Sequence, residues 1–185
     1  MMNKLGLIIV SVILALIQTG CAEQSTWMSL NSSNPRIIWE VKPQADLENI
    51  TGEQISTPEF KMSDYVKGVV PGTVFTAYVE AGIVPVPNYA DNIYKVDETF
   101  YNRPFWYRTE FELPSSYSEG KRVWLHFDNT NRFADFYFNG EKISGTKTST
   151  KDVSGHMLRS KFDVTNLVKK SGKNVIAVLI TDADQ

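Results

Sequence analysis

The sequence predicts an all-β protein, an antiparallel β-sandwich with one short helix. Apolar and polar residues alternate along several short segments, which is the pattern of strands that bury one face. These segments follow one another at short spacing, separated by turn residues. The regular strand–helix alternation of a barrel or a doubly wound sheet is absent. We therefore expect a single sandwich domain over residues 36–185.

The N-terminal 21 residues are typical of a secretory signal peptide. Lys4 supplies a positive charge, and residues 5–17 form an almost continuous apolar run that is too short for a membrane span. Cys21 is the only cysteine and follows a glycine, so we expect it to be lipidated after cleavage, giving a lipid-anchored periplasmic, outer-membrane or cell-surface protein. The alternative is an ordinary signal peptide with an incidental cysteine. Residues 22–35 are polar and predict a tether.

The next part of the chain predicts one strand, one helix and one long loop. Residues 36–41 are rich in β-branched side chains and predict the first strand, whereas residues 43–61 are polar and predict no regular element. After a Pro-Gly turn, Thr73 can cap a short helix whose apolar face repeats at i, i+3, i+4 and i+7, and Gly82 follows its end. That face consists of Val74, Ala77, Tyr78 and Ala81. Residues 83–98 contain two prolines and predict a stiff loop.

The C-terminal half predicts the remaining strands of the sandwich. Asn139 and Gly140 form the dipeptide that favours a type I′ hairpin turn. A single helical turn is expected at 165–170, and the nearly all-apolar segment 174–181 predicts a central strand buried on both faces. Alternation predicts the other strands at residues 105–113, 123–127, 135–138, 141–143 and 159–164.

Composition argues against several classes of function. The net charge is −2 with both signs interspersed, and no basic stripe accompanies the aromatic residues, so nucleic acid is not an expected partner. The two histidines, His126 and His156, have no clustered third ligand, so we predict neither a metal site nor a cofactor. A calcium ion near Asp128 is an open alternative. The aspartates at 128, 135, 152, 163, 182 and 184 predict turns and caps rather than a catalytic pair.

Several motifs occur in a characteristic order along residues 53–181. They are VPGTV (70–74), a helix ending in EAG (80–82), YADN (89–92), FWYRTEF (105–111), FDNTNRFADFYFNGEKI (127–143), GHMLRSKFDVT (155–165) and GKNVIAVLI (172–180). Together they resemble the N-terminal domain of glycoside hydrolase family 2, most closely in its β-mannosidase and exo-β-D-glucosaminidase branch. Two positions depart from the pattern of that branch. Val86 replaces a common aspartate, and Tyr65 replaces a common tryptophan.

The resemblance implies a jelly-roll sandwich of the galactose-binding type, followed in the family by immunoglobulin-like domains and a (β/α)8 barrel. Two glutamates of that barrel cleave the glycosidic bond with retention. Because such a barrel needs about 250 residues, we expect the catalytic pair outside these 185 residues. The expected function is that of the carbohydrate-binding domain of an extracytoplasmic hydrolase acting on terminal β-linked mannose, glucosamine or galactose. The alternative is a freestanding lipid-anchored carbohydrate-binding module without hydrolase activity.

The resemblance also implies that the loop carrying YADN reaches the mouth of the active site. We expect Asp91 and Asn92 to hydrogen-bond a sugar hydroxyl, with Tyr89 as a wall of the subsite. The alternative is that Asp91 and Asn92 only form an Asx-type turn. Three aromatic residues fall on the other face of their strands, and we expect them to cover a second layer or a neighbouring domain rather than bind sugar: Trp106, Trp124 and Tyr137. Arg108 predicts a structural ion pair with Glu110 or with a cross-strand carboxylate.

Overall fold

The computed structural model describes residues 27–131, 133–144 and 159–181. The expected signal peptide, Cys21 and the start of the tether lie outside these residues and stay predictions. Asp152, His156, Asp182 and Asp184 also lie outside them. Within the described ranges, no helix has the length and apolar character that crossing a bilayer requires.

The fold is built from two antiparallel sheets. The larger sheet has the strand order β2-β1-β3-β8-β5-β6, and the smaller sheet pairs β4 with β7. The strands are β1 (Trp39–Pro43), β2 (Val66–Gly68), β3 (Phe105–Phe111), β4 (Trp124–Phe127), β5 (Phe133–Phe138), β6 (Glu141–Lys142), β7 (Ser160–Asp163) and β8 (Asn174–Thr181). This confirms the predicted all-β, antiparallel sandwich.

β8 occupies the centre of the larger sheet. Its Val178 lies opposite Tyr107 of β3 on one side and opposite Phe136 of β5 on the other. The residues from Asn174 to Leu179 are all buried, because both faces of the sheet are covered. The prediction of a central strand buried on both faces is therefore confirmed over most of its length.

Short helices are more numerous than the sequence predicts. The helix expected after Thr73 is α2 (Val74–Glu80), and the Thr73 side chain accepts from the Thr76 backbone N–H at 3.0 Å. The expectation of one helix was wrong, because the described residues also form α1 (Gly52–Ile55), α3 (Glu98–Tyr101) and two 3₁₀ helices, Gln44–Leu47 and Asn92–Lys95. α1 lies in the segment where no element was predicted, and β2 was missed as well. Elements this short are held by tertiary contacts rather than by propensity.

The two turns predicted near the hairpin and before β8 are present. Asn139 and Gly140 have φ of 49° and 92°, the positive values that the type I′ turn requires. The helical turn predicted at 165–170 is shorter in the structure, a hydrogen-bonded turn over residues 165–167 in which Leu167 N and Val168 N both donate to the Val164 carbonyl. Asp163 accepts from Thr165 at the start of that turn.

The hydrophobic core has two layers, one on each face of the larger sheet. The first layer lies between the two sheets and includes Phe136, Phe138, Leu125, Val164 and Ile176. The second layer forms where residues 44–62 cover the opposite face, with these apolar contacts: Leu47, Ile55, Met62, Trp106, Tyr137 and Leu179. The expectation that Trp106 and Tyr137 cover a second layer is confirmed.

Arg108 fastens the covering segment to the sheet. Its side chain is 1% exposed and forms ion pairs with Glu110 at 2.6 Å and with Glu40, its cross-strand neighbour on β1, at 2.8 Å, so both kinds of predicted partner are present. The guanidinium also donates to three backbone carbonyls of the segment at 3.0–3.1 Å, those of Ile55, Thr57 and Phe60. A buried arginine with this many acceptors fixes the chain that supplies them.

Glu110 is the acceptor at the centre of this charge network. Burial by itself would raise its pKa, but hydrogen bonds from Lys173, Arg108 and Lys61 outweigh burial and lower the pKa to about 2. The carboxylate is therefore ionised at neutral pH and balances the buried guanidinium.

Candidate functional site

The proline-containing loop, which was predicted over residues 83–98, ends in the structure at residue 97, just before α3 begins. This segment (residues 83–97, hereafter the proline loop) is held at both ends by one aromatic cluster. Tyr78 of α2 and Phe100 of α3 pack with ring centroids 5.2 Å apart. The cluster continues through Tyr101, Phe75 and Phe105, with centroid separations of 5.1–6.4 Å. Burial raises the pKa of Tyr78, so its ring stays neutral in this core. The two ends of the loop therefore cannot separate without opening an aromatic core.

Local hydrogen bonds define where the proline loop begins and ends. Gly82 has a φ of 70° just past α2, as predicted for a C-terminal cap. The next two residues, Ile83 and Val84, both donate their backbone N–H to the Tyr78 carbonyl, at 3.0 and 3.3 Å. At the far end, Asp97 caps α3 by accepting from the Thr99 backbone and hydroxyl at 3.0 and 2.6 Å. The bond from the Thr99 hydroxyl is the main cause of the lowered pKa of Asp97.

Asp91 and Asn92 lie side by side at the start of the 3₁₀ helix Asn92–Lys95. The Lys95 ammonium bridges them, at 2.9 Å from Asp91 Oδ1 and 3.3 Å from Asn92 Oδ1. Asn92 Nδ2 donates to the Val86 carbonyl at 3.0 Å. The asparagine side chain thus contributes to the fold of the loop. Within the described part of the chain, Asp91 Oδ2 has no hydrogen-bond partner, so it can accept a further hydrogen bond.

Tyr89 is 74% exposed and lies two residues before Asp91. Ala90 between them has a φ of 50°, a left-handed conformation that turns the chain sharply there. The structure therefore brings the three predicted residues together on one exposed turn. An arrangement of a carboxylate, an ammonium, an amide and an exposed aromatic ring matches the donors, acceptors and apolar face of a sugar ring.

Two further residues of this turn, Lys95 and Tyr94, were not among the site residues predicted from the sequence. Lys95 follows Asp91 at the i, i+4 spacing that favours ion pairs, a signal that was available. Tyr94 is 89% exposed, and no sequence pattern distinguishes it from a buried tyrosine. In the described ranges no group of three or more His, Cys, Asp or Glu side chains is placed to hold a metal ion.

Two antiparallel sheets, with a second apolar layer over one face of the larger sheet, define the class of this chain as a β-sandwich domain. A family model described as the glycosyl hydrolase 2 galactose-binding domain-like domain matches residues 39–185. The chain belongs to this family, the N-terminal domain of glycoside hydrolase family 2. The resemblance found in the sequence motifs is thereby confirmed.

Individual relatives lie in the β-mannosidase and glucosaminidase branch. The mannosylglycoprotein endo-beta-mannosidase of Lilium longiflorum is 32% identical over 155 residues, covering 79% of this chain and 15% of the relative. The exo-beta-D-glucosaminidase of Streptomyces avermitilis is 29% identical over 126 residues, covering 68% of this chain and 13% of the relative.

A solved structure gives the same result for the fold. The exo-chitosanase of Amycolatopsis orientalis superimposes with a TM-score of 0.66 at 26% identity, covering 80% of this chain and 16% of that chain. This chain therefore spans 13–16% of the length of the relatives named here.

Proposed function

We propose that this chain is the N-terminal carbohydrate-binding domain of an extracytoplasmic exo-glycosidase. The whole enzyme would cleave terminal β-linked mannose, glucosamine or galactose with retention, using two glutamates of a (β/α)8 barrel. Immunoglobulin-like domains and that barrel would be the partners of this domain within one polypeptide. The observation that carries the proposal is the family match over residues 39–185, together with relatives that are glycosidases several times longer.

The contribution of this domain to the substrate site is assigned to the proline loop. Asp91 Oδ2 accepts a sugar hydroxyl, Lys95 donates to a neighbouring oxygen, and Tyr89 packs against the ring. The Asn92 Oδ1 accepts a second hydroxyl, because its Nδ2 is already bound to Val86. The double anchoring of the loop supports this assignment, since a loop ordered before binding loses little entropy when the sugar arrives.

The test is hydrolysis of p-nitrophenyl β-mannoside, β-glucosaminide and β-galactoside. The chain alone should hydrolyse none of them, and a polypeptide that continues through a catalytic barrel should hydrolyse at least one. In that longer enzyme, Asp91→Asn and Asn92→Ala should each lower kcat/KM by about tenfold, the effect of one lost hydrogen bond to substrate. The matched control is Asp46→Asn, an exposed aspartate outside the proline loop. Hydrolysis by the chain alone, or equal effects of D91N and D46N, would contradict the proposal.

Export and anchoring are part of the same proposal. Residues 1–21 direct the chain out of the cytoplasm, and Cys21 carries the lipid that attaches it to a membrane. Metabolic labelling with palmitate should label the protein, and Cys21→Ser should abolish the label and release the protein into the soluble fraction. A labelled C21S protein would refute the anchor, and a protein retained in the cytoplasm would refute export.

A second candidate function is a freestanding lipid-anchored carbohydrate-binding module. Trp124 supports it, because this residue is 39% exposed on the outer face of β4 and carries the Lys161 ammonium 4.1 Å from its ring centroid. If this function is correct, the purified protein binds oligosaccharides from a glycan panel in calorimetric titrations, and Trp124→Ala removes the binding. If no glycan of the panel gives a heat of binding, the freestanding-module function is contradicted.

A further inference from the structure

The chain before β1 is bound to the sandwich from Met28 onward. Met28 and Leu30 pack against the core layer between the two sheets. The Leu30 carbonyl accepts a hydrogen bond from Trp39 Nε1 at 2.7 Å. Residues 28–34, hereafter the strap, are therefore part of the folded domain.

Hydrogen bonds also join the strap to the edge of the larger sheet. The Ser32 backbone N–H donates to the Val70 carbonyl at 2.7 Å. The Ser32 hydroxyl accepts from the Val70 N–H at 2.8 Å and donates to the carbonyl of Gly68, the last residue of β2, at 3.1 Å. Within the strap, Asn34 Nδ2 donates to the Ser29 carbonyl at 3.1 Å. Because the strap is held at several points, its residues add no length to a link between a membrane and the domain.

The strap limits how far the domain can lie from a lipid on Cys21. Met28 is seven residues after Cys21, and a chain of seven residues spans at most about 25 Å. A compact domain of the size of residues 28–185 has a radius of gyration of about 15 Å and a diameter of about 40 Å. The link is shorter than the domain is wide, so the side of the domain that carries Met28 stays beside the bilayer.

The residues on either side of the strap have the chemistry of a membrane–water interface. Trp27, which precedes the strap, is 81% exposed, and Ile38, just before β1, is 48% exposed. Residues 24–39 contain no Asp or Glu, and their one charged side chain is the exposed Arg36. Tryptophan rings favour the headgroup level of a bilayer, and basic side chains are attracted by anionic lipids. Apolar and basic side chains without a carboxylate therefore fit a lipid surface.

We propose that the strap side of the domain docks on a phospholipid bilayer, with the Trp27 ring among the lipid headgroups. Arg36 attracts the lipid phosphates, and Ile38 adds apolar area to the contact. The proposal rests on the lipid anchor at Cys21 that is part of the proposed function. It goes beyond that function, because a lipid anchor alone does not fix which side of the domain faces the membrane.

The experiment attaches the domain to vesicles chemically, so that it does not depend on lipidation in a cell. Cys21 is the only cysteine, and its thiol couples the chain without residues 1–20 to a maleimide phospholipid. The vesicles contain phosphatidylcholine and phosphatidylglycerol, and one set carries bromine on the acyl chains to quench nearby tryptophan fluorescence. The brominated set should quench part of the protein fluorescence. Trp27→Phe should reduce that quenching by about threefold or more, because Trp27 is the ring at the headgroup level.

Two controls accompany this measurement. Trp124→Phe removes another exposed tryptophan, on the outer face of the smaller sheet, and should leave the amount of quenching unchanged. The wild-type chain with its thiol blocked should show little quenching when it is mixed with the same vesicles, because it lacks the short link. Both substituted side chains are exposed, and unchanged thermal unfolding would show that neither variant is misfolded.

Three results would overturn the proposal. The first is equal fluorescence of the coupled protein on brominated and plain vesicles, which would show that Trp27 stays out of the bilayer. The second is a loss of quenching in W124F as large as in W27F, which would show that another side of the domain faces the lipid. The third is equal quenching of the blocked and coupled chains, which would show adsorption without the link. Palmitate labelling of the wild type and of C21S decides separately whether the lipid anchor exists.

Discussion

Replacing Arg108 should destabilise the fold far more than replacing any exposed partner in its network. In Arg108→Met, the buried carbonyls of the covering segment lose their donor, and Glu40 loses its ion pair. Glu110 keeps Lys61 at 2.9 Å and its contact with Lys173, so its charge is not left alone. At about 1 kcal/mol for each of the three lost carbonyl bonds, the free energy of unfolding should fall by about 3 kcal/mol. Breaking a buried ion pair gives a similar value.

Urea unfolding monitored by tryptophan fluorescence measures this loss. Trp106 lies beneath the covering segment and reports on that part of the structure. Lys61→Met is the control, because it removes an exposed partner of the same glutamate and should change the free energy by less than about 1 kcal/mol. The free energy of unfolding of Arg108→Lys should lie between those of R108M and K61M. One ammonium cannot bond to all the acceptors that a planar guanidinium reaches at once. If R108M lowers the free energy of unfolding by no more than K61M does, the reasoning is refuted.

Three further predictions concern single positions. Gly52→Ala should lower the free energy of unfolding by about 1–3 kcal/mol, because its Cβ would lie 2.3 Å from the ring of buried Tyr137; an unchanged urea midpoint would contradict this. Ala90→Gly should raise the free energy of unfolding by about 0.5 kcal/mol and so raise the urea midpoint, because glycine adopts the positive φ at residue 90 without strain. A lower urea midpoint would contradict this prediction. The pKa of Glu110 is lowered to about 2 from 4.5, so its stabilisation is complete above pH 4.5 and is lost as the pH falls through about 2. Glu110→Gln should flatten the stability–pH curve over that interval, and a curve parallel to the wild type would be the contrary result.

The elements that the sequence predicts well are those whose signal is local. The apolar run 174–181 identifies β8, because a strand buried on both faces has no polar side to show. α2 is identified by its cap Thr73 and by the helical spacing of Val74, Ala77 and Tyr78, because both signals lie within one short segment. The three predicted residues of the proline loop are neighbours in sequence, so their meeting in space required no knowledge of the fold. Whether they contact a sugar stays a prediction.

The elements that escaped prediction depend on distant residues. β2 has three residues, which is too short for a periodic pattern, and among the described strands it pairs with β1 alone. α1 has four residues, and Arg108 holds the segment around it from more than 45 positions away. Its capping box between Thr51 and Gln54 was visible in the sequence.

The position of β8 has a consequence for how the chain folds as it is made. β3 and β5 pair with β8 and not with each other, and β8 is the last of the described strands to be synthesised. Until Asn174–Thr181 leaves the ribosome, the growing sheet has two halves with unpaired edges, a condition that invites association with other chains. Such long-range pairing also makes folding slow, because the chain loses conformational entropy in closing large loops before the stabilising strand contacts form. The emergence of β8 therefore commits the sheet to its native pairing, because among the described strands only β8 joins β3 to β5.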